Sequence, residues 1–299
     1  PAPTPPPDPD PLPPAMIPPV SYTEPPTLPR TYTTTYTTLL TVTSASDPND
    51  SKTEICYDDY DLPIYVPQSP CTLRRAVLES EKLAAAYRDG TISNPFPILI
   101  HFDLPVSESH NGEGEDWTIT LTETGELNAL PHLGEKTAIV GEGQPGGSSD
   151  GPKIIVRGPE KVPNGYGLVV DSDSYVSGLA FQRLRMHLQL NGGGNIIEEN
   201  WFGLTEDGQA IFLRDEEHPE DGSGQSGVTT TGNEYGNLIQ DNVLAGFRGG
   251  AIGLRSNDSF LWGNYVGVNA DGLVPVDVPA SRWCKPNARY HNWFGGAGV

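Results

Sequence analysis

The segment Asn195-Ile196-Ile197-Glu198-Glu199-Asn200 returns as Asn237-Leu238-Ile239-Gln240-Asp241-Asn242 and, more loosely, as Ser259-Phe260-Leu261-Trp262-Gly263-Asn264. Ser174-Tyr175-Val176-Ser177-Gly178-Leu179 holds the same phase earlier in the chain. The starts, at 174, 195, 237 and 259, are separated by 21, 42 and 22 residues. The middle interval is twice the first, which predicts a coil that lacks a clear motif or carries an insertion. A longer match keeps identical offsets: Asn200-Trp201-Phe202-Gly203 leads to Asp207-Gly208, and Asn264-Tyr265-Val266-Gly267 leads to Asp271-Gly272. Asn292-Trp293-Phe294-Gly295 opens another copy.

A period near 21 suits one coil of a parallel β-helix, in which short strands joined by turns stack about 4.8 Å above the preceding coil. Ile197, Ile239 and Leu261 would then stack inside. Asn195, Asn200, Asn237, Asn242, Asn264 and Asn292 would occupy turns, where left-handed backbone and side-chain hydrogen bonds favour asparagine. Stacked asparagines also bond to one another along a column. Short strand candidates bounded by Gly, Pro, Asp or Asn agree with this: Ile98–Phe102, Trp117–Leu121, Thr137–Val140, Ile154–Val156, Leu168–Val170 and Val176–Phe181. A leucine-rich repeat is disfavoured because its leucine spacing is missing. The fold class read from the repeat is all-β: a right-handed parallel β-helix, a solenoid, with one N-terminal capping helix and a proline-rich extended arm.

Working outward gives three regions: the arm at 1–30, a threonine-rich strand and capping region at 31–98, and the β-helix at 99–299. Proline crowds the first thirty positions, removing backbone donors and fixing φ, so this arm favours extended polyproline II geometry. Such a segment has few large apolar groups with which to order itself, so its body or a neighbouring copy would have to hold it. Residues 31–46 (TYTTTYTTLLTVTSAS) have the β-branched and aromatic density of one or two strands, and their threonines are candidates for O-glycosylation. Residues 47–70 read as an acidic loop. Thr72 can cap a helix running to about Tyr87, with Leu73, Ala76, Val77, Leu83 and Ala84 on its apolar face.

Lys plus Arg number 18 against 39 Asp plus Glu, a net charge of −21. No basic footprint for nucleic acid is visible, and the acidity favours solubility. No apolar run approaches the roughly 20 residues of a membrane span. Pro1-Ala2-Pro3 reads as the start of a mature or trimmed chain, so secretion is inferred rather than seen. The three cysteines, Cys56, Cys71 and Cys284, lack CxxC spacing. Cys56 and Cys71 bracket a polar loop and can form one disulfide, which suits an oxidising compartment; Cys284 would then be free or bonded to another chain.

Cys56 followed by Cys71-Thr72-Leu73-Arg74-Arg75-Ala76-Val77 and an apolar strand ending Ile100-His101-Phe102 resembles the CSLREA-type domain. That domain precedes right-handed β-helix repeats in bacterial and archaeal secreted proteins. The strand Leu39–Thr43, the acidic loop Asp47–Asp50 and Thr137-Ala138-Ile139-Val140-Gly141 fit the same pattern, so the resemblance covers residues 38–299. Arg75 departs from it, standing where the family usually has an acidic residue. The resemblance implies extracellular or cell-surface placement and no settled activity, many members looking like adhesins or structural surface proteins.

Residues with catalytic potential fall on the coils. Glycosidases need two carboxylates across the scissile bond, which stacked coils can supply. Asp171 and Asp173 are the leading candidates, with Glu198, Glu199 and Asp241 in later coils, against the alternative of a solvated acidic face. A lyase needs a strong base, and Arg183 and Arg185 are candidates, against a polar outer face flanked by Gln182 and His187. Asp207-Gly208 and Asp271-Gly272 read first as turns and only weakly as calcium ligands. The six histidines show no HxH or HxxxH spacing, so neither a metal site nor a cofactor is expected.

The functional expectation is a homopolymer: an extracellular fibre or surface-layer subunit assembled head to tail. The arm and threonine-rich segment, including Pro1, Pro11, Tyr32 and Tyr36, would contact the next subunit. The C-terminal run Phe294-Gly295-Gly296-Ala297-Gly298-Val299 falls inside a repeat, as if that end continues or docks. The alternatives are a polysaccharide lyase or glycoside hydrolase on a β-helix scaffold, and an adhesin binding glycans through Trp201, Trp262, Tyr265 and Trp293.

Overall fold

The structure is a computed structural model describing residues 37–47, 56, 70–110, 114–122, 129–146, 151–160, 165–212, 224–231, 236–256, 258–273 and 275. All belong to one compact unit, Thr35–Val299. The arm, Pro1, Pro11, Tyr32, Tyr36, Cys284, Asn292 and Trp293 lie outside the described residues.

The described chain is mostly β, with three parallel sheets and one helix in a parallel-β-helix-like arrangement. Strand β1 (Thr38–Val42) comes first, then helix α1 (Leu73–Arg88). Five three-strand coils follow. They are β2 (Ile98–Phe102), β3 (Trp117–Thr120) and β4 (His132–Leu133); then β5 (Thr137–Val140), β6 (Ile154–Arg157) and β7 (Tyr166–Val170). Next come β8 (Tyr175–Ser177), β9 (Leu179–Gln182) and β10 (Met186–Leu190), then β11 (Ile196–Glu198), β12 (Trp201–Phe202) and β13 (Ser226–Thr230). The last complete coil is β14 (Leu238–Gln240), β15 (Val243–Leu244) and β16 (Ile252–Gly253), followed by β17 (Phe260–Trp262) and β18 (Tyr265–Val266). The first strand of each coil joins sheet 1, ordered β1-β2-β5-β8-β11-β14-β17. The second joins sheet 2 (β3-β6-β9-β12-β15-β18) and the third joins sheet 3 (β4-β7-β10-β13-β16).

In-register pairing builds the core. Leu40, Ile100, Ile139, Val176, Ile197, Ile239 and Leu261 form one inward column across all seven strands of sheet 1. In sheet 2 the rings of Phe181 and Phe202 stack with centroids 5.2 Å apart. His187, which the sequence set opposite or beside Arg183 and Arg185, is fully buried and meets Phe247 edge-on at 5.0 Å.

Of the two readings of the 42-residue interval the insertion holds: it is one coil, because β11 pairs directly with β14, β12 with β15 and β10 with β13. The added length leaves the coil after β12, where Leu204 and Ile211 form an antiparallel bridge. The span Val176–Phe181 is two strands, because Gly178 turns the corner between β8 and β9 with φ +65°.

The asparagines also differ from expectation in conformation. The left-handed residue is the one before each asparagine: Gly194, Glu199, Gly236, Asp241 and Gly263 have φ between +53° and +77°. The asparagine supplies the hydrogen bonds. Asn242 Oδ1 accepts from Asn200 N at 3.0 Å and from Asn200 Nδ2 at 3.1 Å. Asn264 Oδ1 likewise accepts from Asn242 N and Nδ2 at 3.1 and 3.0 Å. At the other corner of sheet 1, Asn237 Oδ1 accepts from Asn195 N at 3.1 Å, and Asn195 Oδ1 from Ser174 N at 2.9 Å. Two ladders thus flank sheet 1.

Helix α1 packs on β1, β2 and β4. Thr72 Oγ1 accepts from Arg75 N at 3.3 Å as the N-cap, and Leu73, Ala76 and Val77 are buried. Cys56 and Cys71 are disulfide-bonded. Arg74 forms a buried bidentate pair with Asp47 (Nε to Oδ1 2.7 Å, Nη2 to Oδ2 2.6 Å) and donates to Ala129 O at 2.8 Å.

Candidate functional site

The sequence-derived catalytic candidates fall on different corners of the stack. Asp171 and Asp173 lie between β7 and β8, where sheet 3 passes to sheet 1, and Asp173 is left-handed with φ +57°. Burial raises the Asp171 carboxyl above its ordinary range, opposed by the nearby His132 and Arg88 charges. Arg183 and Arg185 lie between β9 and β10, where sheet 2 passes to sheet 3. Arg183 is a corner residue with φ +51°, not part of a strand face, and its guanidinium lies 5.8 Å from the Phe212 ring centroid. Glu198, Glu199 and Asp241 belong to sheet 1 and its corner with sheet 2. Lyase and hydrolase candidates are therefore not gathered at one centre.

The corner between sheets 1 and 2 does carry a cleft of about 500 Å³, lined by Glu142, Lys153, Gly178, Glu199, Trp201 and Asp241 among others. Gly178, Glu199 and Asp241 occupy one corner position in successive coils. Glu142 was absent from the sequence candidates. Burial pushes its carboxyl above the ordinary range, while its own backbone N–H and the Ser177 hydroxyl, which donates at 3.0 Å, pull it back. A Cβ at Gly178 would collide with this carboxyl group, so glycine is what leaves room for it. The only sequence sign of Glu142 was its place just after Gly141, at the end of a strand.

The Asp-Gly turns meet each other. Asp207 Oδ1 accepts from Thr205 Oγ1 at 2.7 Å and Gln209 N at 3.0 Å, which holds this carboxyl below its ordinary range. Gln209 Nε2 donates to Asp271 Oδ2 at 2.9 Å, and Ala270 N donates to Gly208 O at 2.9 Å. The chain leaving β12 therefore reaches across the β15 coil to the turn after β18. Beneath it, Ile155, Ala180, Trp201 and Val243 make an outward apolar column on sheet 2, covered by Leu204 and Ile211. Trp201 is packed there at 9% exposure, whereas Trp262 and Tyr265 are 37% and 54% exposed. Among the described residues no three His, Cys, Asp or Glu side chains gather as a metal-ligand set.

The outer face of sheet 1 holds a feature that sequence reading missed. Register places Leu39, Leu99, Ala138, Tyr175, Ile196, Leu238 and Phe260 in one outward column across all seven strands. The neighbouring column is more polar: Thr41, His101, Val140, Ser177, Glu198 and Gln240, ending at Trp262. Within it Glu198 accepts from Tyr175 Oη at 2.6 Å and from Gln240 Nε2. The signal for the apolar column was an apolar pair at the same phase of successive repeats: Tyr175-Val176, Ile196-Ile197, Leu238-Ile239 and Phe260-Leu261. Six of the nine exposed large apolar side chains lie at 254–273, among them Phe260, Trp262, Tyr265 and Val266 on β17 and β18.

Comparison of the chain with protein-family models, curated proteins and solved structures finds no match. No helix among the described residues is long and apolar enough to cross a membrane.

Proposed function

We propose that this chain is an extracellular structural protein, a right-handed β-helical subunit of a surface fibre or layer assembled head to tail. The observation carrying the reading is the crowding of Phe260, Trp262, Tyr265 and Val266 on β17 and β18, the terminal described strands of sheets 1 and 2. Terminal strands offer backbone groups for further pairing, and exposed apolar side chains on them favour association. A contact between unlike ends propagates as a filament. Right-handedness rests on the strong preference of parallel strand connections for that hand. Extracellular placement rests on the Cys56–Cys71 disulfide and on the resemblance to CSLREA-type surface proteins. The N-terminal arm makes a second contact with the neighbouring subunit.

Electron microscopy and sedimentation velocity test this directly. The parent chain should form polymers. A Trp262→Lys/Tyr265→Lys variant should remain single with an unchanged melting curve. Parent protein that stays monomeric at high concentration sinks the reading. Deleting residues 1–30 should abolish assembly without unfolding the coils, and normal polymerisation of that truncation removes the arm from the scheme.

The cleft favours a second reading, cleavage of a polysaccharide, with Glu142 as the proton donor. Release of reducing ends from a polysaccharide panel, lost in Glu142→Gln, would support it. Glycan-array binding lost on substituting Trp262 or Tyr265 would support an adhesin instead.

A further inference from the structure

An outer sheet face turned to water is ordinarily polar, with apolar residues alternating inward. Sheet 1 breaks that rule along the column from Leu39 to Phe260, whose ends are 45% and 49% exposed and whose interior is half-buried, with Ala138 buried between its neighbours. Six strand spacings of about 4.8 Å give this stripe a length of about 29 Å. The inward column already fills the core behind it, so the core does not account for the stripe. At its far end Phe260 stands beside the exposed Trp262 indole, an aromatic pair next to an aliphatic track.

We propose that this stripe is the seat for the proline-rich arm of a neighbouring copy, and that Pro11–Pro19 is the segment it takes. The inference rests on the fibre reading and names the surface that receives its arm. Fourteen of the first thirty residues are proline. Proline lacks the N–H needed to extend a sheet edge, so such a segment binds through its rings and side chains against an apolar, aromatic face. Pro11-Leu12-Pro13-Pro14-Ala15-Met16-Ile17-Pro18-Pro19 is the arm's long uncharged apolar run, set between Asp8 and Asp10 on one side and Glu24 on the other. At about 3.1 Å per residue in polyproline II geometry, about nine residues cover the stripe, which is the length of that run. The 18 residues from Val20 to Thr37 separate the run from β1. They span up to about 60 Å, enough to reach another copy. The acidic residues flanking the run would lie beyond the ends of the apolar track.

The test uses the full chain with photo-methionine at Met16, in an equal mixture of ¹⁴N- and ¹⁵N-labelled protein. The expected result is mixed-isotope cross-links from Met16 to peptides containing Tyr175, Ile196 or Leu238. In Ile196→Thr/Leu238→Thr, which keeps β-compatible side chains on the solvent face, these cross-links should disappear. A synthetic peptide of residues 8–22 should also bind that variant about tenfold more weakly than the parent. Same-isotope cross-links alone, cross-links elsewhere, or none would overturn the proposal. So would parent protein that is retained on crystalline polysaccharide through Leu238 and gives no mixed-isotope cross-link. Parent polymers without those cross-links would overturn the arm's seat and leave the fibre reading standing, whereas a parent that forms no polymer overturns the fibre reading itself.

Discussion

Asn242 is bonded on every side. Its Nδ2 donates to Ile197 O and Gln240 O, each at 2.8 Å, and to Asn264 Oδ1, while its Oδ1 receives two bonds from Asn200. Asn242→Ala leaves several buried backbone groups without partners and should cost about 3 kcal/mol in urea unfolding. Asn264→Ala, at the half-buried end of the same ladder, should cost about half of that. Equal costs would contradict this ranking. Glu142 gives a pH prediction. Its folded-state pKa is raised, so the folded chain holds that proton more tightly than the unfolded one. The associated stability is full below the ordinary value of 4.5 and is lost as pH rises through the folded value. Glu142→Gln removes the loss, so the variant-minus-parent difference in Tm should grow more positive from pH 4 to pH 7. A flat difference would contradict it. The asparagine positions were legible because the motif repeats. Their hydrogen-bonding role was only half legible, because sequence spacing does not say which of two adjacent corner residues takes the positive φ.

Helix α1 is tied to its surroundings by charge as well as by packing. Arg74 and Asp47 have side chains 6% and 1% exposed, and Asp47 Oδ2 also accepts from Thr122 N at 2.7 Å. Removing one partner of a buried pair strands the other. Arg74→Met alone should therefore cost about 4 kcal/mol, while Arg74→Met with Asp47→Asn should recover much of it. A double-mutant cycle in thermal melts reads the difference. The disulfide closes a separation of 15 residues, and its reduction should lower stability by about 3 kcal/mol, seen as a lower Tm in dithiothreitol. The helix was legible because Thr72 and the apolar spacing after it act locally. The Arg74–Asp47 pair was not, since it joins residues 27 apart through a fold that a linear reading does not supply.

Across the whole molecule, the stack was readable because an inward apolar position and a flanking asparagine return together at β11, β14 and β17. Spacing alone left two readings of the 42-residue interval, a missing motif or an insertion, and the register selects one coil with a long excursion. The outward stripe stayed hidden because two adjacent apolar residues look like a buried strand until the register shows that one of them faces out. The same hidden geometry separated the catalytic candidates, since Asp171 and Arg183 are only 12 residues apart yet turn different corners. On this scale the fibre reading makes its own claim: the melting curve of the coils should be indifferent to loss of residues 1–30, while particle length in micrographs should not.

The direct pairing of β11 with β14 across that excursion uncouples chain length from molecular length. Residues added at a corner broaden the particle and leave its long dimension untouched. Only a copied unit carrying the inward side chain and the asparagine raises it, by one step of about 4.8 Å. Tandem duplication of a single unit would therefore yield a taller folded molecule at once, whereas random insertions of equal size would decorate its flank.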